Sequence, residues 1–172
     1  MVDQTRDVPE LFLDEALDTI ERERTILTAE IEAFEEFLAV VGSITAQSSA
    51  SPGVRSVRTG SGRSDPFRSL REGYESTVMA VPHYDSEYGE SYEEHVRAEF
   101  GPDIATLLTT GQVFERHHKQ AVAVATERVI DQRRCLLDAL DEEQASVERF
   151  AEPVRSVIDA IETLGGTPSS DS

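Results

Sequence analysis

A seam of residues spaced alternately four and three apart runs through Val122, Thr126, Val129, Arg133, Leu136, Leu140, Glu143, Val147, Phe150, Val154, Val157, Ile161 and Leu164. That alternation holds one narrow stripe of an α-helix against a partner helix along its whole length. It predicts a helix over residues 112–164. A second run, Leu13, Leu17, Ile20, Leu27, Ile31, Phe34, Leu38 and Val41, follows the same rule with Arg24 at its one missing step, and predicts a helix over 9–42. Asp7, Pro9 and Glu10 form its start signal, and Gly42-Ser43 ends it. Asp14, Glu21, Glu23, Glu30 and Glu35 flank the stripe and are expected to keep the outer face in water.

The two runs match in an antiparallel register. It sets Leu13 on Val154, Leu17 on Phe150, Ile20 on Val147, Leu27 on Leu140, Ile31 on Leu136 and Leu38 on Val129. The same register sets Arg24 opposite Glu143, so the two charged interruptions meet. Such a pair adds little net stability, but it penalises shifted registers. Phe34 falls against Arg133, whose guanidinium then either lies over the ring or snorkels to water. Phe37 and Ile130 widen the stripe beyond two positions per heptad, which calls for further helices there. Pro153 removes a backbone donor and is expected to kink the second helix.

The segment between the two runs supplies those helices. Residues 43–64 are rich in Ser, Gly, Thr and Arg, with too little apolar surface to offset the entropy of ordering, and are expected to form a flexible linker. Asp65-Pro66 opens a helix whose Phe67, Leu70, Tyr74, Val78 and Val81 share a face, and Val81-Pro82 ends it. Ser91 with Glu94 is a capping box, Gly101-Pro102 is a break, and Gly111 closes the last short helix. The expected architecture is all-α: a long antiparallel two-helix coiled-coil hairpin with a small helical head over 65–111, a loose arm over 1–8 and a loose tail over 165–172. Val157, Ile158, Ile161 and Leu164 overhang the first helix, so either the N-terminal residues or a second subunit covers them, and a homodimer is the expected partner.

Charge narrows the function classes. Thirty-four acidic residues against sixteen basic ones give a formal charge of −18, which repels phosphate backbones and anionic lipid alike. Neither nucleic acid nor membrane is expected as a partner. Lys119 is the one lysine among the sixteen basic residues. Acid excess with little lysine fits a salt-rich cytoplasm, where molar salt screens charge within about 3 Å. The N-terminal MVDQTRDVPE has neither a basic leader nor an apolar run, so a cytoplasmic location is expected. Cys135 is the single cysteine, falls beside the seam, and allows no internal disulfide.

Candidate chemistry gathers in the head. Tyr74, Met79, His83, Tyr84 and Tyr88 form the candidate interaction surface, since Tyr and His combine contact area with a polar handle; their alternative role is the core of the head. His83, Tyr84 and His95 are the residues of an alternative small sensor or enzyme pocket. His83, His95, His117 and His118 show no ligand pair spaced for one helical face, so no metal or other cofactor is expected. The would-be reading helix of a helix-turn-helix, Asp103–Thr110, carries no Arg, Lys, Asn or Gln for base contacts. No phosphate loop, nucleophile elbow or Rossmann turn is present. The block from Thr77 to Gly101, TVMAVPHYDSEYGESYEEHVRAEFG, resembles a family of uncharacterised proteins from halophilic archaea, with its VPHY...EYGE segment and the EFGP stop as the specific part. The resemblance implies a haloarchaeal source and no activity. The expected role is a non-enzymatic interaction or scaffold protein.

Overall fold

A computed structural model describes residues 7–45, 65–82, 91–110 and 114–165. They form four helices, α1 (Asp7–Ser43), α2 (Pro66–Thr77), α3 (Tyr92–Thr109) and α4 (Arg116–Gly165). No strand occurs among the described residues, and the fold is all-α. Most of the expected linker, the Gly111 cap, the Asp7 side chain, residues 1–6 of the expected arm and residues 166–172 of the expected tail lie outside the described residues, whereas residues 7 and 8 already belong to α1 and Gly165 ends α4, which corrects the bounds of the loose arm and tail. The chain divides into two compact units, Ile26–Cys135 and a second made of Met1–Thr25 with Leu136–Ser172.

In Ile26–Cys135 all four helices feed one buried cluster. The α1 residues Phe34, Phe37 and Val41 meet Leu70 and Tyr74 of α2, Val96, Ala105 and Leu108 of α3, and Val122, Val129 and Ile130 of α4. Phe37 and Ile130, which broaden the apolar stripe in the sequence, are both buried. Phe114, just before α4, is buried with its ring 5.6 Å from that of Phe67. The α1 and α4 segments run antiparallel within this unit: Glu30 pairs with Arg133, while Gly42 and Ile44 meet Lys119. Gly73 lets α2 approach α1 closely, since a Cβ there would sit 2.7 Å from Val40 Cγ1.

Local chemistry sets the helix ends. The Asp65 carboxylate accepts from Phe67 N at 3.1 Å, with Pro66 in the first turn. Ser91 and Glu94 close the capping box in both directions. The helical path of α3 is broken at Gly101, whose φ of 76° and ψ of 174° belong to a region open only to glycine. Glu115 N donates to His118 Nδ1 at 3.2 Å, a capping contact at the head of α4. The end of α1 has no basic residue of its own in its last turn. Lys119 fills that role from α4, donating to Gly42 O at 2.6 Å and Ile44 O at 2.7 Å. A compact ammonium can reach two converging carbonyls that a planar guanidinium fork matches poorly.

The second unit is thin. Ile20, Leu140 and Ala151 are buried, with Leu13, Leu17, Leu137, Val147, Val154 and Ile158 half-buried. On α1 the expected seam positions are the covered ones. On α4 the seam holds through Arg133 and then departs. The covered stripe is Leu137, Leu140, Gln144, Val147, Ala151, Val154 and Ile158, whereas Leu136, Glu143, Phe150 and Val157 are exposed. The expected pairings of Leu17 with Phe150 and Ile31 with Leu136 are therefore corrected. At each step the two choices are adjacent in sequence, and hydrophobicity favours Phe150 over Ala151. A small residue at the contact permits closer helix approach, and that geometric advantage is invisible to an apolar count. Arg24 bonds to Asp141, two residues from the expected Glu143. Asp141 stands beside the buried Leu140, where a long guanidinium can keep its stem in the seam and its head towards water. Pro153 lies inside α4, which continues to Gly165.

Replacing Gly101 with alanine should lower stability by about 1–3 kcal/mol, the cost of forcing a side chain into that backbone region. Gly42→Ala, at a helical glycine with nothing within 4 Å of a new Cβ, should leave stability unchanged or raise it by up to about 1 kcal/mol. Urea unfolding of the two variants checks both.

Candidate functional site

The most organised group of polar side chains lies in Ile26–Cys135, around Tyr74 and Arg133. Tyr74 has 0% of its surface exposed. Its ring meets Phe34, Phe37, Tyr92, His95 and Phe100 edge-on or tilted, at centroid separations of 5.0 to 6.3 Å. Such edge contacts place the positive rim of one ring on the negative face of another. The phenol is not stranded there: Tyr74 Oη and His95 Nδ1 share a hydrogen bond of 2.8 Å. Tyr92 donates its hydroxyl to Leu108 O at 3.4 Å, and Arg71 lies over its ring at 5.0 Å.

Beside these rings, Arg133 of α4 is gripped from two sides. It donates to Glu30 of α1 at 3.2 Å and to Glu99 of α3 at 2.8 Å, and its guanidinium lies 5.3 Å from the Phe34 ring centroid. The three side chains are only 16%, 13% and 20% exposed. Of the two fates open to Arg133 in the sequence, the ring contact is the one adopted. Glu30, expected on the wet outer face, is instead half-buried as one jaw of this clamp. Its position beside the seam hides that role, because Glu99 arrives on a helix with no sequence link to either long run. The clamp pins three helices at a fixed register.

Burial drives the acidity of both tyrosines. It pushes the Tyr74 phenol far above its ordinary value, with Glu99 and Tyr92 adding to the effect. Burial raises Tyr92 to about 12, opposed by Arg71. Both hydroxyls are therefore neutral hydrogen-bonding groups, poorly suited to act as bases.

The sequence candidates fall as follows. Tyr74 takes the core role that the sequence left open to it and presents no contact surface. Met79 is half-buried against the same core. His83, Tyr84 and Tyr88 lie outside the described residues. His95 is half-buried and bonded to Tyr74. His117 and His118 have ring centroids 4.0 Å apart, and His117 Nδ1 lies 3.1 Å from Glu115 Oε2. Among the described residues no group of three or more His, Cys, Asp or Glu side chains is arranged to hold a metal ion. Cys135 is exposed. An open groove of about 460 Å³ runs between Phe100 and Ile104 of α3 and Gln120, Val124 and Arg128 of α4. No described helix is long and apolar enough to cross a membrane.

In the other unit, the outward side of α4 carries large apolar groups in the open: Leu136 is 54% exposed, Phe150 70%, Val157 58% and Ile161 64%. Glu143 shares this side. Ile158, expected with Val157 and Ile161, is half-buried, and the Leu164 side chain lies outside the described residues.

Helices joined by half-buried ion pairs, with apolar side chains left exposed on α4, define an all-α protein. The chain belongs to the family described as domain of unknown function DUF7260, which it matches over residues 12–172. No curated protein and no solved structure matches it.

Arg133→Met should cost about 3–5 kcal/mol, because two partly buried carboxylates then face each other without the cation. Adding Glu30→Gln and Glu99→Gln should recover much of the loss in chemical denaturation. Alkali should also weaken the fold. The phenol of Tyr92 is raised from 10.0 to about 12 in the folded chain, so the unfolded state loses this proton first. Its contribution is present below pH 10 and is lost as pH rises towards 12. Tyr92→Phe should flatten the fall of the urea midpoint over that range.

Proposed function

We propose that this chain is a non-enzymatic helical interaction protein, a scaffold or regulator that presents α4 as a docking helix to protein partners. On this reading α1 and α4 form a coiled-coil hairpin, α2 and α3 make a head that fixes its register, and the acid excess keeps the protein dispersed in a salt-rich, haloarchaeal cytoplasm. The observation that carries the reading is the exposed run Leu136, Phe150, Val157 and Ile161 on one side of α4. Isolated exposed apolar residues are ordinary, but several in a row at helical spacing mark a surface that another helix covers. Two further facts support it. The Arg133 clamp and the Tyr74–His95 bond are internally satisfied, which suits a structural part better than a reactive one. The net charge of −18 disfavours nucleic acid and anionic membrane.

The test is affinity capture in molar salt with the full chain and with a Phe150→Glu, Val157→Glu variant. Proteins retained by the parent and lost by the variant are the expected result. Equal capture by both, or a stoichiometric metal that disappears on His95→Ala, contradicts the reading.

A further inference from the structure

We infer that the occupant of the outer side of α4 is a second copy of this chain, lying antiparallel to the first. The inference rests on the interaction reading above and gives it a partner. Eight exposed residues, Leu136, Ala139, Glu143, Ser146, Phe150, Pro153, Val157 and Ala160, follow one another at steps of three and four. This is a complete heptad seam, parallel to the covered one and beside it on the same helix. Its two position classes differ in size. Leu136, Glu143, Phe150 and Val157 are large, whereas Ala139, Ser146, Pro153 and Ala160 are small.

That division selects the orientation. Two antiparallel copies can set large positions on small ones, Leu136 on Pro153, Phe150 on Ala139 and Glu143 on Ser146, so these layers interdigitate, with Val157 and Ala160 lying beyond them. A parallel, in-register pair instead stacks Phe150 on Phe150 and Glu143 on Glu143, alternating crowded layers with empty ones and placing like charges face to face. Charge then selects the register. Glu142 and Arg149 lie one heptad apart on the same outer edge of the seam. Layers of Leu136 on Pro153, Ala139 on Phe150 and Glu143 on Ser146 bring Glu142 of each copy beside Arg149 of the other, twice by symmetry. The polar layer is self-consistent, since the Ser146 hydroxyl is a donor and the Glu143 carboxylate an acceptor. Sliding by one heptad sets Arg149 beside its own copy. Residues 166–172, GTPSSDS, hold no large apolar group, and residues 46–64 hold only Val54 and Val57, so neither segment offers a comparable seam. Repulsion between two copies at −18 opposes the pairing, so it tightens as salt rises and screening shortens to about 3 Å near 1 M.

The exposed Cys135 is the single cysteine, which makes the full-length chain its own probe. A nitroxide on Cys135 sits opposite residue 154 in this register, nineteen residues away along the helix, so two labels should be about 30 Å apart at 1.5 Å per residue. In a parallel pair they should be about 10 Å apart. Light scattering in molar KCl should give a dimer mass, and electron–electron distance measurement a separation of about 30 Å or more. Phe150→Glu should raise the dissociation constant at least tenfold with helix content unchanged. Glu142→Arg should weaken the dimer several-fold, and adding Arg149→Glu should restore it. A monomer at every concentration, labels near 10 Å, or a charge swap that restores nothing overturns the proposal. A monomer whose capture of other proteins still depends on Phe150 overturns self-pairing alone, whereas mass and capture both indifferent to Phe150→Glu overturn the interaction reading as well.

Discussion

Burial of Phe34, Phe37 and Val41 on one side of α1 is the constraint from which the arrangement of Ile26–Cys135 follows. A chain with 6% aromatics and no tryptophan has few rings for a core, and most of the described ones gather in one place. Two phenylalanines on α1 draw in Tyr74, Tyr92 and Phe100, and α2 and α3 must come with them. Tyr74 brings a hydroxyl into that interior, which obliges a polar partner to follow. His95 is that partner. Arg133, carried to the same spot by α4, is in turn answered by Glu30 and Glu99. Each polar group in the cluster is thus a consequence of the ring burial beside it.

The clamp contributes specificity more than net stability. Desolvating three charged groups cancels much of their attraction, yet any register that separates them leaves a partly buried charge uncompensated. Lys119 acts in the same spirit at the end of α1. The last carbonyls of a helix are unsatisfied, and a cation anchored on α4 answers them only when α4 stands at one height.

Much of this is legible in the sequence, because helix starts, stops and stripes are local. Asp65-Pro66, the Ser91–Glu94 box and the Gly101-Pro102 break announce themselves through side chains within a few residues of the backbone groups they serve. The α1 stripe and the α4 stripe up to Arg133 are equally plain, as is the need for extra helices at Phe37 and Ile130. Two things are hidden. The half-buried state of Glu30 depends on Glu99, a residue on a third helix. The stripe of α4 beyond Arg133 misleads because Leu136 and Leu137, or Phe150 and Ala151, offer two phases that hydrophobicity alone ranks in the wrong order. The mismatch is informative, since the large residues turned outward form a second seam of their own.

Amide hydrogen exchange resolved along the chain tests the central claim most directly. If the ring cluster is what the fold depends on, the slowest amides fall in Ala33–Val41 of α1 and Val122–Ile130 of α4, and exchange only through global unfolding. Equal or stronger protection in the Leu140–Ile158 part of α4, with the ring-bearing segments opening first, would contradict it.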